Sequence, residues 1–237
     1  MTGKVFGPAV ARAMIPTVIP AMVLALVLAS ASGSARAAEA VPGAAVGETV
    51  EYRIMHSKYD EIGRHAVTFS REGGDLIVDV ALKIQVKLLF ITVHSLTAER
   101  RETWRDGRMI AYSSHTDENS DLFDVTARAE GGKLVIEGPE GRAETSASAF
   151  PTHPWNPAIV KGALQMDTKT GKVLAVSVAP AGGEVVEVAG KPVQTSKYLV
   201  SGDLERELWF DAAGNWIQLR FPKDGETLTF TRVTPLE

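Results

Sequence analysis

The sequence predicts an all-β fold: a curled antiparallel meander, shaped as an open barrel or clam, with one short helix packed against it. Three observations carry this. Leu76, Val78, Val80, Leu82, Ile84 and Val86 alternate with Ile77, Asp79, Ala81, Lys83 and Gln85, the period of two that marks a half-buried strand. Glycine and Asp-Gly turn signals recur from Gly73-Gly74 to Asp224-Gly225, and most segments between them are 6 to 12 residues long. That spacing suits hairpins and leaves no room for the long crossovers of a parallel sheet. One segment, residues 150–166, breaks the alternation.

Taken in order, the chain opens on an address. Lys4 and Arg12 make a positive start, residues 14–29 carry no charge, and Ala35-Arg36-Ala37 is an A-x-A cleavage pattern. These are the parts of a secretory signal peptide, so residues 1–37 are expected to be removed. The uncharged run is 16 residues and contains Pro16 and Pro20. A spanning helix needs about 20, so cleavage is favoured over an uncleaved anchor. The alanine-rich style of the signal suits a bacterial exporter, and the expected destination is the periplasm. No cysteine follows the apolar run to carry a lipid. Residues 38–47 read as a flexible mature terminus and residues 48–237 as a single β domain of roughly a dozen strands.

Within that domain, residues 88–104 exceed an ordinary strand and are read as a bulged, bent strand or a corner between two strands. Residues 115–121 are polar and read as a solvated hairpin loop. In the exceptional segment, Asn156 is a good N-cap and Pro157 follows at the first helical position, where a missing N–H is harmless. Ile159, Val160, Ala163 and Leu164 then fall at helical spacing, which predicts a short helix over residues 157–165. A Trp-x-Asp hairpin occurs twice, at Trp104–Asp106 and Trp209–Asp211. An internal duplication and a common aromatic strand end are both open readings.

Composition narrows the function. There is no cysteine, which excludes thiol catalysis, thiolate metal sites and disulfides, so stability must come from a core. Without Lys4, Arg12 and Arg36 the mature chain has 22 basic and 29 acidic residues, a formal charge of −7. Nucleic acid and anionic membrane surfaces favour the opposite sign. Arg100, Arg101, Arg105 and Arg108 cluster, but Glu99, Glu102 and Asp106 interleave with them, and a solvated strand end is the reading adopted.

Catalytic and metal-binding patterns are missing from the sequence. His56, His65, His94, His115 and His153 show no ligand spacing, and no metal or cofactor is assigned. There is no G-x-S-x-G, and Ser113-Ser114-His115 lacks the elbow context of a nucleophile. Asp117 to Asp121 is oxygen-rich but lacks the glycine and closing glutamate of a calcium loop. The glycine pairs lie between strands and are turn residues, not phosphate loops. No catalytic residue is assigned.

The candidate site is His153-Pro154-Trp155-Asn156-Pro157. Two prolines stiffen the path and fix the angle of an aromatic ring. Trp155 as a structural plug is favoured over Trp155 and His153 lining the mouth of an apolar cavity. The binding residues carried forward are His153, Trp155 and Asn156.

Three stretches resemble a family of uncharacterised exported bacterial proteins, known only as a domain of unknown function (the six-one-three-four family). They are residues 52–63 with Ile62-Gly63 at a hairpin; Thr152-His153-Pro154-Trp155-Asn156, similar to a Thr-Ser-His-Trp-Asn-like stretch but with a proline between His153 and Trp155; and residues 198–204 followed by Leu208-Trp209-Phe210-Asp211 and Gly214. The resemblance implies export and an all-β fold and brings no activity.

The function class put first is binding: a curled sheet whose apolar inner face accepts a lipid or acyl chain. A non-catalytic structural or interaction module of the cell envelope, with a filled core, is the alternative, and an enzyme with a dispersed site comes third. No nucleic-acid partner and no spanning helix after signal cleavage are expected. Protein partners are left open.

Overall fold

The computed structural model of the protein describes residues 46–223 and 225–236. The signal-peptide reading and all but the last two residues of the expected flexible terminus lie outside the described residues.

Fifteen strands form one sheet. The N-terminal half supplies β1 (Thr49–His56), β2 (Asp60–Glu72), β3 (Asp75–Leu88), β4 (Ile91–Arg105), β5 (Arg108–Glu118), β6 (Asp121–Glu130), β7 (Lys133–Gly138) and β8 (Gly141–Ser146). The C-terminal half supplies β9 (Phe150–Pro151), β10 (Leu164–Met166), β11 (Val173–Val188), β12 (Lys191–Gly202), β13 (Arg206–Phe210), β14 (Trp216–Lys223) and β15 (Glu226–Arg232). In space the order runs from β8 down to β1, then from β15 down to β9. β1 joins the halves by pairing with β15, placing Tyr52 opposite Arg232 and Ile54 opposite Phe230. Every pairing is antiparallel except β9 with β10. β8 and β9 follow one another in the chain yet occupy the two free edges, so the sheet curls without closing.

Alternation drives the curl. Along β3 the residues Leu76, Val78, Val80, Ile84 and Val86 are buried, while Ala81, Lys83 and Gln85 face out. The inward residues of strands far apart in the sheet, such as Val125 of β6 and Leu174 of β11, belong to one apolar cluster. A smaller cluster of Val186, Val188, Trp209 and Ile217 lies on the other face of the sheet, since Trp209 alternates with Leu208 and Phe210 of the main core. Trp104 belongs to the main cluster. The two Trp-x-Asp turns therefore point their indoles to opposite faces.

Several expectations change on contact with the structure. The helix expected over 157–165 is a single 3-10 turn, Pro157–Lys161. Asn156 caps it as read, its Oδ1 accepting from the Ala158 N–H. Gly162 then takes an extended conformation, and residues 164–166 pair with β11 instead of continuing the helix. That pairing also accounts for part of the excess over a dozen strands. Among the described residues there is no α-helix, and no helix long and apolar enough to cross a membrane.

Gly63 is not in a hairpin turn but inside β2, paired with Ile54. A side chain there would run into the Lys83 carbonyl, so glycine is required by close approach of two backbones. Residues 88–104 resolve into a corner: Leu88 pairs with Ile91 across a two-residue turn in which Leu89 has φ 56°. Leu88, Leu89, Phe90 and Ile91 all stand exposed at that tip.

Candidate functional site

The chain on either side of β10, residues 152–163 and 167–172, packs against the inside of the curl. Its contacts come from both halves. The Thr168 carbonyl accepts from Tyr112 Oη and Ser114 Oγ of β5, each at 3.0 Å. The Thr152 carbonyl accepts from Arg206 of β13. Trp155 Nε1 donates to Glu102 of β4 at 2.7 Å. His153 Nε2 lies 2.9 Å from His65 Nε2 of β2. Prolines 154 and 157 flank the buried Trp155 and Asn156 and, having no N–H, leave two fewer backbone donors to satisfy where the chain enters the core.

Glu102 is the centre of this arrangement. It is fully buried, and its Oε2 accepts from both Trp104 Nε1 at 2.8 Å and Trp155 Nε1. The indoles meet edge to face, with centroids 5.3 Å apart. Burial raises the carboxyl to about 7, against the opposing pull of the Trp155 and Trp104 hydrogen bonds and the Arg100 charge. Glu102 Oε1 has no hydrogen-bond partner and lies 3.6 Å from His153 Nδ1, which has none either. That separation is too long for a hydrogen bond. It is not an ion pair, because burial first, and then the charges of Arg100 and Arg206, hold His153 well below its ordinary value. His65 is held down likewise, by burial and then by His153 and Arg100. Two neutral imidazoles facing through Nε2 require one to donate and the other to accept. Tyr52 stacks on Trp216 at 3.8 Å, and both rings meet His65 edge-on.

Two spaces open beside this network. One is a cleft of about 650 Å³ walled by Ile62, Leu82, Ile84, Val86, Leu96, Phe221, Leu228 and Phe230, with His56, Lys58, His94, Lys169, Glu118 and Glu226 among its polar lining. The other is a recess of about 200 Å³ lined by His65, His153, Arg100, Arg206, Thr152 and Trp216 among others. Leu82, Asp167, Phe221 and Phe230 border both.

Of the three residues named from sequence, His153 lines the recess. Trp155 and Asn156 are buried and line neither space. Sequence reasoning missed Arg100, Glu102, Arg206 and His65. The solvated strand end proposed for the arginine cluster holds for Arg101 and Arg105, which pair with Asp79, Glu72 and Asp75 at the surface. It fails for Glu102 and for Arg100, which turn inward. The signal was present: Ala98, Arg100, Glu102 and Trp104 share one face of β4 by parity, as His65 shares a face with Val67 and Phe69. Among the described residues no three His, Asp or Glu side chains converge to hold a metal ion.

The family described as "Domain of unknown function (DUF6134)" matches residues 52–233. No curated protein matches the sequence. Among solved structures, the chain is similar to a beta-barrel-like protein of domain of unknown function DUF1849 from Brucella abortus. The TM-score is 0.58 at 12% identity, covering 78% of this chain and 95% of the other. At that identity the likeness speaks to the fold alone.

Proposed function

This chain belongs to the DUF6134 family, and on that premise we propose that it is an exported periplasmic protein whose curled sheet binds an apolar ligand such as a lipid or acyl chain. The observation that carries the reading is the cleft of about 650 Å³ with aliphatic and phenylalanine walls. Its size falls within the 300–1,000 Å³ usual for small-molecule sites. Apolar walls left in water are costly, and each methylene of a ligand buried against them contributes about 0.8 kcal/mol. The exposed tip residues Leu88 to Ile91 continue the same strands that supply Val86, Val93 and Leu96 to the cleft. Residues 1–37, with their cleavage pattern, support the periplasmic address.

The test is titration with an environment-sensitive apolar dye. Saturable binding at one site is expected. Leu82→Trp, which adds bulk at a wall shared by cleft and recess, is expected to weaken it at least tenfold while leaving the melting temperature close to wild type. A protein that binds no such dye moves the assignment to a structural or interaction module of the envelope. That alternative draws its support from the interior filling already provided by Trp155, Ile159 and Met166.

A further inference from the structure

Arg206 is a buried cation without a counter-ion. Only 6% of it is exposed. Its guanidinium donates to two neutral acceptors, the Thr152 carbonyl and Gln165 Oε1, the latter at 2.7 Å. Its Nε, buried, has no partner. Among the described residues no carboxylate lies within ion-pair distance of it, whose partners are the two neutral oxygens, or of Arg100, whose own Nε is buried and unpartnered. Burial alone lowers Arg206 to about 9, and no neighbouring acid offsets it. An unpaired buried charge is one of the most expensive things a core can contain.

Both arginines line the recess, and so do the two neutral histidines. The one acid lining the recess, Asp167, has its Oδ1 engaged by the Lys169 N–H, the Thr170 N–H and the Thr170 hydroxyl of its own turn. Glu102, which feels the Arg100 charge from behind the lining, has its Oε2 committed to the Trp104 and Trp155 indoles and is not within ion-pair distance of Arg100. The recess is too small for an acyl chain but suits a compact polar group, and it shares walls with the apolar cleft. An anion at Arg206 and Arg100 would supply the missing counter-charge in a dry site, where charge-assisted hydrogen bonds are strongest.

We propose that the recess is an anion subsite, and that the ligand is an amphiphile whose compact anionic head, carboxylate or phosphate, sits between Arg100 and Arg206 while its chain lies in the cleft. This inference rests on the apolar-ligand reading above and names the chemistry of the ligand. Arg206 and Arg100 act together because neither alone is fully desolvated and also free: Arg206 spends two donors on Thr152 and Gln165, and Arg100 is half-buried. The neutral state of His65 and His153 leaves the two guanidinium groups as the cations of the recess.

The experiment is displacement of the bound dye at pH 8 by three ligands with one chain length: hexadecanoate, hexadecyl phosphate and hexadecanol. At least one of the two anions is expected to compete at least tenfold more tightly than the alcohol, and the tighter of the two names the head group. Arg100→Gln is expected to bring the anions to within about threefold of hexadecanol while hexadecanol itself is unchanged. Arg206→Gln should do the same, and a folded Arg100→Gln or Arg206→Gln that keeps the anion preference would overturn the placement of the head between the two arginines. Hexadecanol competing as well as both anions would overturn the anion subsite and leave the apolar-ligand reading intact. Failure of all three to compete would overturn both.

Discussion

Replacing Glu102 by glutamine should change how stability depends on pH in a way that can be worked out from the structure. Glu102 is wholly buried, and burial raises its carboxyl from 4.5 to about 7 despite the Trp155, Trp104 and Arg100 contacts that favour the charge. The folded protein therefore holds this proton more tightly than the unfolded chain. The stability linked to Glu102 is fully present below pH 4.5 and is lost as pH rises through about 7. At 1.36 kcal/mol per pH unit the loss amounts to about 3 kcal/mol. Glutamine has nearly the same shape, its carbonyl oxygen can accept from both indoles, and it does not titrate. His65 and His153 work in the opposite sense: held well below 6.5, they add stability above pH 6.5 that is lost as pH falls. They are present in both proteins and drop out of the difference between them. Urea unfolding followed by tryptophan fluorescence at pH 4.5, 6, 7 and 8 is the assay. The stability of Glu102→Gln relative to wild type should climb by about 3 kcal/mol from pH 4.5 to pH 8. A difference that is flat over this range would refute the account of a desolvated carboxylate at the centre of the core.

Three further outcomes are expected. Trp155→Ala removes a buried indole that packs against Phe69 and Trp104 and donates to Glu102; a loss of roughly 3–5 kcal/mol should appear in thermal or urea unfolding. A variant that melts like wild type but loses its ligand would make Trp155 a lining residue instead of a plug. Asn156→Ala deletes only the cap on the Ala158 N–H and should cost about 0.5–2 kcal/mol by the same measurement. Intact mass of the protein recovered from the periplasm of an expressing bacterium should correspond to loss of residues 1–37; a full-length chain found only in membranes would exclude cleavage.

The fold was legible in the sequence because its signals are local. Alternation in residues 76–86 and the turn glycines each fix a strand or hairpin without reference to distant residues. The sheet order could not be read the same way. The pairing of β1 with β15 joins residues about 180 positions apart, and nothing near Tyr52 announces Arg232. The helix expected from Pro157 failed because pairing of residues 164–166 with β11 outweighs helical spacing in so short a segment.

The site was legible only in part. His153 and Trp155 stood out because prolines isolate them. Glu102 and Arg100 were hidden among surface arginines, and only strict use of strand parity would have turned them inward. The recess itself depends on Arg206 and His65 arriving from opposite halves of the chain, which is a property of the curl and not of any motif.

Native mass spectrometry of the purified protein incubated with hexadecanoate reports directly whether the curled sheet holds one amphiphile in its apolar cleft. A single adduct at one equivalent is expected, released on denaturation and strongly reduced in Leu82→Trp. A bare polypeptide mass, or a ladder of adducts identical in wild type and Leu82→Trp, would contradict it.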